Sequence, residues 1–195
     1  MKTAFILASS SPFRQQLLKK IIPHFSHFAP DIDESPHTHE QPEALVRRLA
    51  LEKANCAYKL FNSGVVIGSD QVALHNNDIL GKPHTVENAH SQLRRFSGEK
   101  VTFLTSLALL DLESGKSNVI VEPFEVYFRH LSEQQIHNYV DKEQPLNCAG
   151  SFKSEGLGIC LFDALKGDDP NALVGLPLLQ LNHMLLQWDI DPLAL

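Results

Sequence analysis

A chain of 195 residues, 43% of them hydrophobic and 21% charged, has the make-up of a globular domain large enough to bury a core without disulfides or a structural metal, which excludes a disordered or fibrous polypeptide. The net charge of -6 argues against a protein that holds nucleic acid on a broad basic face, although 17 lysines and arginines suffice for a local anion pocket. No apolar stretch approaches the roughly 20 residues that span a bilayer, so neither a membrane anchor nor secretion is expected. Cys56, Cys148 and Cys160 form no Cys-x-x-Cys pair, which suits free, buried thiols in a reducing cytoplasm.

In chain order, residues 3–8 form an apolar run that reads as a strand, and Ser11-Pro12 supplies an N-cap and a favoured first helical residue. Helical periodicity follows over 42–61, with Leu45, Leu49, Cys56 and Leu60 on one face and Lys53 on the same stripe. A lysine there either snorkels at the core's edge or points into a cleft. Residues 65–68 read as a buried strand, "HNND" at 75–78 as a hairpin turn, and Thr85 to Asn88 as the entry to a helix through Phe96. Strands are expected over 101–110 and 119–128. Ser132 with Gln135 makes a capping box, and Pro177 opens a last helix through Trp188. Alternation early and an antiparallel stretch later predict a mixed α/β fold, and no linker divides the chain, so one domain over 1–195 is expected.

Certain polar residues interrupt this pattern. In "LASSSPFRQQLL" capping accounts for Ser11 and Pro12, whereas Ser9, Ser10 and Arg14 together with the first-turn amides suit an anion, phosphate being the usual guest. Gly68-Ser69-Asp70-Gln71 stands at the end of an apolar strand, where Asp70 either caps a turn, binds a divalent metal or takes a proton from water. Lys82 follows a short strand, and Asp31, Asp33 and Glu34 crowd carboxylates into four residues that are either a solvated loop or a metal site. Cradle, carboxylates and isolated lysines are the parts for metal-assisted attack of water on a phosphate chain, with Mg²⁺ or Mn²⁺ as the ion suited to oxygen ligands. His37-x-His39 lacks further ligands, so no zinc is assigned.

As a set, "LASSSPFRQQLL", "DIDE", "RLALEKA", "GSDQV", "ILGKP", "FSGEKVTFLTSLAL", "NCAGSFKSEGLG" and "NALVGLP" resemble the Maf family of nucleoside triphosphate pyrophosphatases, in family order across nearly the whole chain. The resemblance implies hydrolysis of a nucleoside triphosphate to monophosphate and pyrophosphate with a divalent metal. The implied fold is an elongated mixed sheet with helices in two lobes around a nucleotide cleft. It makes Asp70 the base that activates water, and it gives Ser9, Arg14, Glu34, Lys53 and Lys82 to phosphates and metal. Glu34 and Asp70 are the implied metal ligands, which either share one ion or divide roles. Lys53 is accordingly expected to point into the cleft.

Phe13 stands where many members carry an arginine. With Gln71 and Glu155 it resembles the YceF-type subgroup, associated with 7-methyl-GTP rather than dTTP or UTP. The chemistry agrees: N7-methylguanine is cationic and is attracted to an aromatic face, while a carboxylate accepts from its N1-H and N2-H. Core packing for Phe13 and a solvated loop for Glu155 are the alternatives. The resemblance also suggests a homodimer whose partner is a small nucleotide, and the unpaired cysteines and the lack of a spanning run make a cytoplasmic enzyme the expectation. The rivals are the same reaction on dTTP, UTP or an inosine or xanthosine triphosphate, and a nucleotide-binding regulator of septum formation.

Overall fold

A computed structural model describes residues 3–76 and 78–195. Among these the strands are β1 (Phe5–Ala8), β2 (Ser26–Phe28), β3 (Val65–His75), β4 (Asp78–Leu80), β5 (Lys100–Asp111), β6 (Ser117–Phe128) and β7 (Phe162–Lys166). The α-helices are α1 (Pro12–Leu18), α2 (Pro42–Asn55), α3 (Val86–Phe96), α4 (Glu133–Glu143), α5 (Pro170–Val174) and α6 (Leu178–Leu186). The strands form one mixed sheet in the order β2-β1-β3-β5-β6-β7, with β4 on β3. The expected α/β class is what the chain adopts. Two compact units divide the described residues. One is drawn from Met1–Asp70, Thr105–Glu122 and Asp169–Leu195, the other from Gln71–Leu104 and Pro123–Asp168.

In the first unit β1 runs parallel to β2 and to β3, with Phe5 opposite Val65 and Leu7 opposite Ile67. Because successive strand residues face opposite sides, Phe5, Leu7 and Ile67 join Leu17, Leu18, Leu107, Leu176 and Leu181 in one core cluster, while Ile6, Ala8 and Val66 join Ala50, Ala54 and Ala108 in another. A parallel strand covered on both faces must be apolar throughout, which is why residues 5–8 carry no polar alternation. Gly68 sets how closely α2 lies on β3: a Cβ there would sit 2.2 Å from the Ala50 carbonyl oxygen and 3.2 Å from Ala54 Cβ.

In the second unit β3 and β4 make the hairpin, His75 pairing with Asp78 and Asn76 adopting a positive φ of 51°, while Asn77 of the expected turn lies outside the described residues. Thr85 caps α3 by accepting from Asn88 N, and Ser132 and Gln135 cap α4 reciprocally. Phe103, Phe128, Phe152 and Phe162 stack edge to face, with ring centroids 4.8–5.7 Å apart, as the aromatic quadrupole favours.

Three expectations need correction. The strand read as ending at Gly68 continues to His75, so Asp70 is a mid-strand residue rather than one in the turn just beyond a strand. The helix read to Phe61 stops at Asn55 and tightens into a 3₁₀ turn over Cys56–Lys59. That change of pitch ends the 3.6-residue stripe, so Ala57 is buried while Leu60 is 62% exposed and Cys56 only half-buried. The cysteines are free, yet Cys148 is half-buried and Cys160 exposed rather than packed inside.

Candidate active site

The residues after β1 turn sharply into α1. Ser11 is the N-cap and accepts from Arg14 N, Pro12 is the first helical residue, and the buried Ser9 accepts from Ser11 N at 3.1 Å. Arg14 therefore sits on the first turn, and its Nε donates to the Gly175 carbonyl at 2.8 Å. Burial pulls its pKa below the ordinary arginine value, against the opposing pull of the Asp70 and Glu34 charges. Phe13 is half-buried on the same turn.

Asp70 and Lys53 are both buried. Lys53 lies between Ala50 and Ala54 on the α2 face that packs on β3, and its Nζ reaches Asp70 Oδ1 at 2.6 Å. The same Nζ lies 2.6 Å from Glu34 Oε1, an exposed carboxylate on the loop before α2. Lys53 is thus not a snorkelling residue; its charge is met by two carboxylates. The loop that delivers Glu34 is anchored by Arg48, one turn before Lys53 on α2. Its guanidinium donates to both oxygens of Glu40 at 2.7 and 2.8 Å, to Ser35 O at 3.1 Å and to Glu52 at 3.0 Å. That pairing holds the Glu40 carboxyl down to about 2. Of the acidic cluster, Asp33 closes its own turn by accepting from Ser35 N.

Motif reading missed a layer of supporting groups. The fully buried Ser69 donates to Gly175 O at 2.9 Å, so one carbonyl receives both Ser69 and Arg14. Gly175 ends α5 with a φ of +118°, a left-handed conformation that favours glycine, and a Cβ would approach Arg14 Nε at 3.3 Å. Asp169, also fully buried, accepts from Asn171 N and Leu179 N and so braces the turn that presents this carbonyl. Ser106 of β5 bonds both the amide and the carbonyl of Asp70. The Gly in "NALVGLP" was a visible signal of a left-handed cap; the serine in an apolar run was a visible signal too, but its partner lies 36 residues away.

In the second unit Gln71 follows Asp70 on β3, half-buried. Lys82 is exposed beyond β4, and the exposed Glu155 accepts from Ser154 Oγ at 3.3 Å. Both charges act on Cys148, whose thiol pKa is raised chiefly by burial; Glu155 pushes it further up and Lys82 opposes. The structure thus brings together Arg14, Glu34, Lys53 and Asp70 in one unit and places Lys82 and Glu155 around Cys148 in the other.

A divalent cation is part of the expected chemistry. No group of three His, Cys, Asp or Glu side chains is arranged to hold a metal among the described residues. Mg²⁺ nevertheless keeps several waters and is commonly held by one or two carboxylates plus substrate phosphates. Glu34 and Asp70, converging on one ammonium, are such a pair of hard oxygen donors, and the residues fit the ion in that sense.

The chain matches the Maf-like protein family over residues 4–188. It is 56% identical over 194 residues to a protein named 7-methyl-GTP pyrophosphatase from Pseudoalteromonas translucida (strain TAC 125), covering 100% of this chain and 96% of that one. Proteins of the same name from Colwellia psychrerythraea and Alcanivorax borkumensis are 52% and 57% identical, covering 100% and 92% of this chain and 96% and 91% of theirs. Among solved structures, a HAM1 protein from Coxiella burnetii superposes with a TM-score of 0.54 at 15% identity, covering 95% of this chain and all of that one, which is a likeness of fold. With the family pattern matched over nearly its full length, the chain belongs to the Maf family.

Proposed function

We propose that this protein hydrolyses 7-methyl-GTP to the nucleoside monophosphate and pyrophosphate, acting as a single functional domain. One observation carries the reading: a buried lysine holds a buried aspartate beside a loop carboxylate and a first-turn arginine, in a chain more than half identical to proteins of that name. Water attacks the α-phosphorus, the bond from that phosphorus to the α,β-bridging oxygen breaks, and pyrophosphate leaves with the bond's electrons. Asp70 takes the proton of the water. Its Oδ1 is engaged by Lys53, so the transfer falls to Oδ2.

Ser9, Arg14, Lys53 and Lys82 hold phosphate oxygens as charge develops. A divalent cation, Mg²⁺ or Mn²⁺, held by Glu34 and Asp70 would neutralise charge on the phosphates. Phe13 offers a ring face to the cationic methylated base, and Gln71 and Glu155 read its polar edge. Phe13 is half-buried rather than fully packed, and the Glu155 side chain is exposed, accepting among the described residues only from the neighbouring Ser154 Oγ, both of which support that role. A cytoplasmic homodimer is part of the same proposal. No helix among the described residues is long and apolar enough to cross a membrane.

The test is incubation with Mg²⁺, and separately Mn²⁺, and a panel of 7-methyl-GTP, GTP, dTTP, UTP, CTP and inosine triphosphate, with products identified. Preferential release of pyrophosphate from 7-methyl-GTP is expected. Preference for a pyrimidine nucleotide overturns the specificity, and release of orthophosphate alone overturns the reaction.

A further inference from the structure

We propose that Ser106 is a positioning residue for Asp70, an inference that rests on Asp70 being the group that takes the proton from water. Ser106 is fully buried on β5, the neighbour of β3 in the sheet. Its hydroxyl accepts from Asp70 N at 3.1 Å and donates to Asp70 O at 3.2 Å. One side chain thus holds both polar groups of that residue's backbone, using a hydroxyl's single donor and one of its two acceptor lone pairs. On either side of Thr105 and Ser106 lie Phe103 and Leu104, then Leu107, Ala108 and Leu109, so a purely apolar residue would suit the packing of this strand. The hydroxyl's work is done on Asp70.

The consequence for chemistry follows from how Asp70 is held. Its carboxylate is tied at Oδ1 to Lys53, a long side chain that accommodates movement. The backbone bonds to Ser106, and the Ser69 bond to Gly175 one residue earlier, add short-range constraints to those of the sheet on where Cα of Asp70 stands. A displacement of about 1 Å at a reacting group costs on the order of 100-fold in rate. Nucleotide affinity depends mainly on the phosphate-holding cations, which Ser106 does not touch.

The experiment is steady-state kinetics of the full-length Ser106→Ala and Ser106→Thr variants on the nucleotide the wild type turns over, with Asp70→Asn run beside them. Ser106→Ala is expected to lower kcat by about 10- to 100-fold with KM within about 2-fold, and Ser106→Thr, which keeps the hydroxyl, to recover most of the loss. If the alanine variant does not fold, Ser106→Cys replaces it, its thiol being a weak hydrogen-bonding group, with the same pattern expected. An unchanged kcat, a loss that falls on KM, or equal losses for alanine and threonine overturns the proposal. Wild-type turnover by Asp70→Asn overturns the Asp70 assignment itself and this proposal with it; an inactive Asp70→Asn beside a fully active Ser106→Ala overturns the positioning role alone.

Discussion

Lys53 Nζ stands 2.6 Å from Asp70 Oδ1, and both residues are buried, so a helix and a strand meet through a charge pair inside the first unit. Removing one partner of a buried pair strands the other, at a cost of about 3–5 kcal/mol. Lys53→Met is therefore expected to lower the unfolding free energy by that order and to abolish turnover. Adding Asp70→Asn should restore part of the stability, because the uncompensated carboxylate is gone. Chemical denaturation of both variants checks this, and a double variant less stable than Lys53→Met speaks against it.

The pair depends on a close approach of backbone to backbone. With Ala50 O only 2.2 Å from a Cβ built on Gly68, Gly68→Ala must push α2 away from β3. Overpacking of this kind costs about 1–3 kcal/mol. Because Lys53 rides on the same face of α2, kcat is expected to fall along with stability. A stability loss with kcat unchanged would mean that the lysine reaches Asp70 regardless of how the helix is seated.

Glu40 carries a pH dependence with a definite sign. Arg48 depresses its pKa from 4.5 to about 2 in the folded chain. A depressed folded value means that the stabilisation is complete above 4.5, is lost as pH falls through the interval from 4.5 toward 2, and is absent below it. The difference in denaturation midpoint between wild type and Glu40→Gln should therefore shrink across that interval. A difference that stays constant with pH would show that the pair contributes no proton-linked stability. The same substitution frees the loop that carries Glu34, so metal dependence is expected to shift to higher metal concentration.

Much of this arrangement was legible in the residues. Caps announced themselves because their chemistry is local: Ser11 with Pro12, Thr85, and Ser132 with Gln135 all start helices where their types require. The extent of β3 was not legible, since Ser69-Asp70-Gln71 reads as a polar stop until Ser106, Gly175 and Lys53 supply partners from elsewhere in the chain. The Gly175 carbonyl could not be found as a ligand of Arg14 from side-chain motifs, because a backbone oxygen has no letter of its own. Leu60 misled for the opposite reason: its spacing is correct for a helix that has already ended.

Glu155 tests the base rather than the reaction. Glu155→Ala is expected to erode the preference for 7-methyl-GTP over other nucleotides by about 10-fold or more, with smaller loss on the poorer substrates. Ratios of kcat/KM across the nucleotide panel measure it. A uniform loss on every substrate would make Glu155 a support of its loop.

The central claim is that Asp70 activates water. Single-turnover hydrolysis of 7-methyl-GTP by wild type and Asp70→Asn, with nucleotide affinity measured on the same preparations, addresses it directly. The account predicts a loss of at least about 1000-fold in the chemical step with affinity changed by less than about 5-fold. Turnover by Asp70→Asn at the wild-type rate would contradict it.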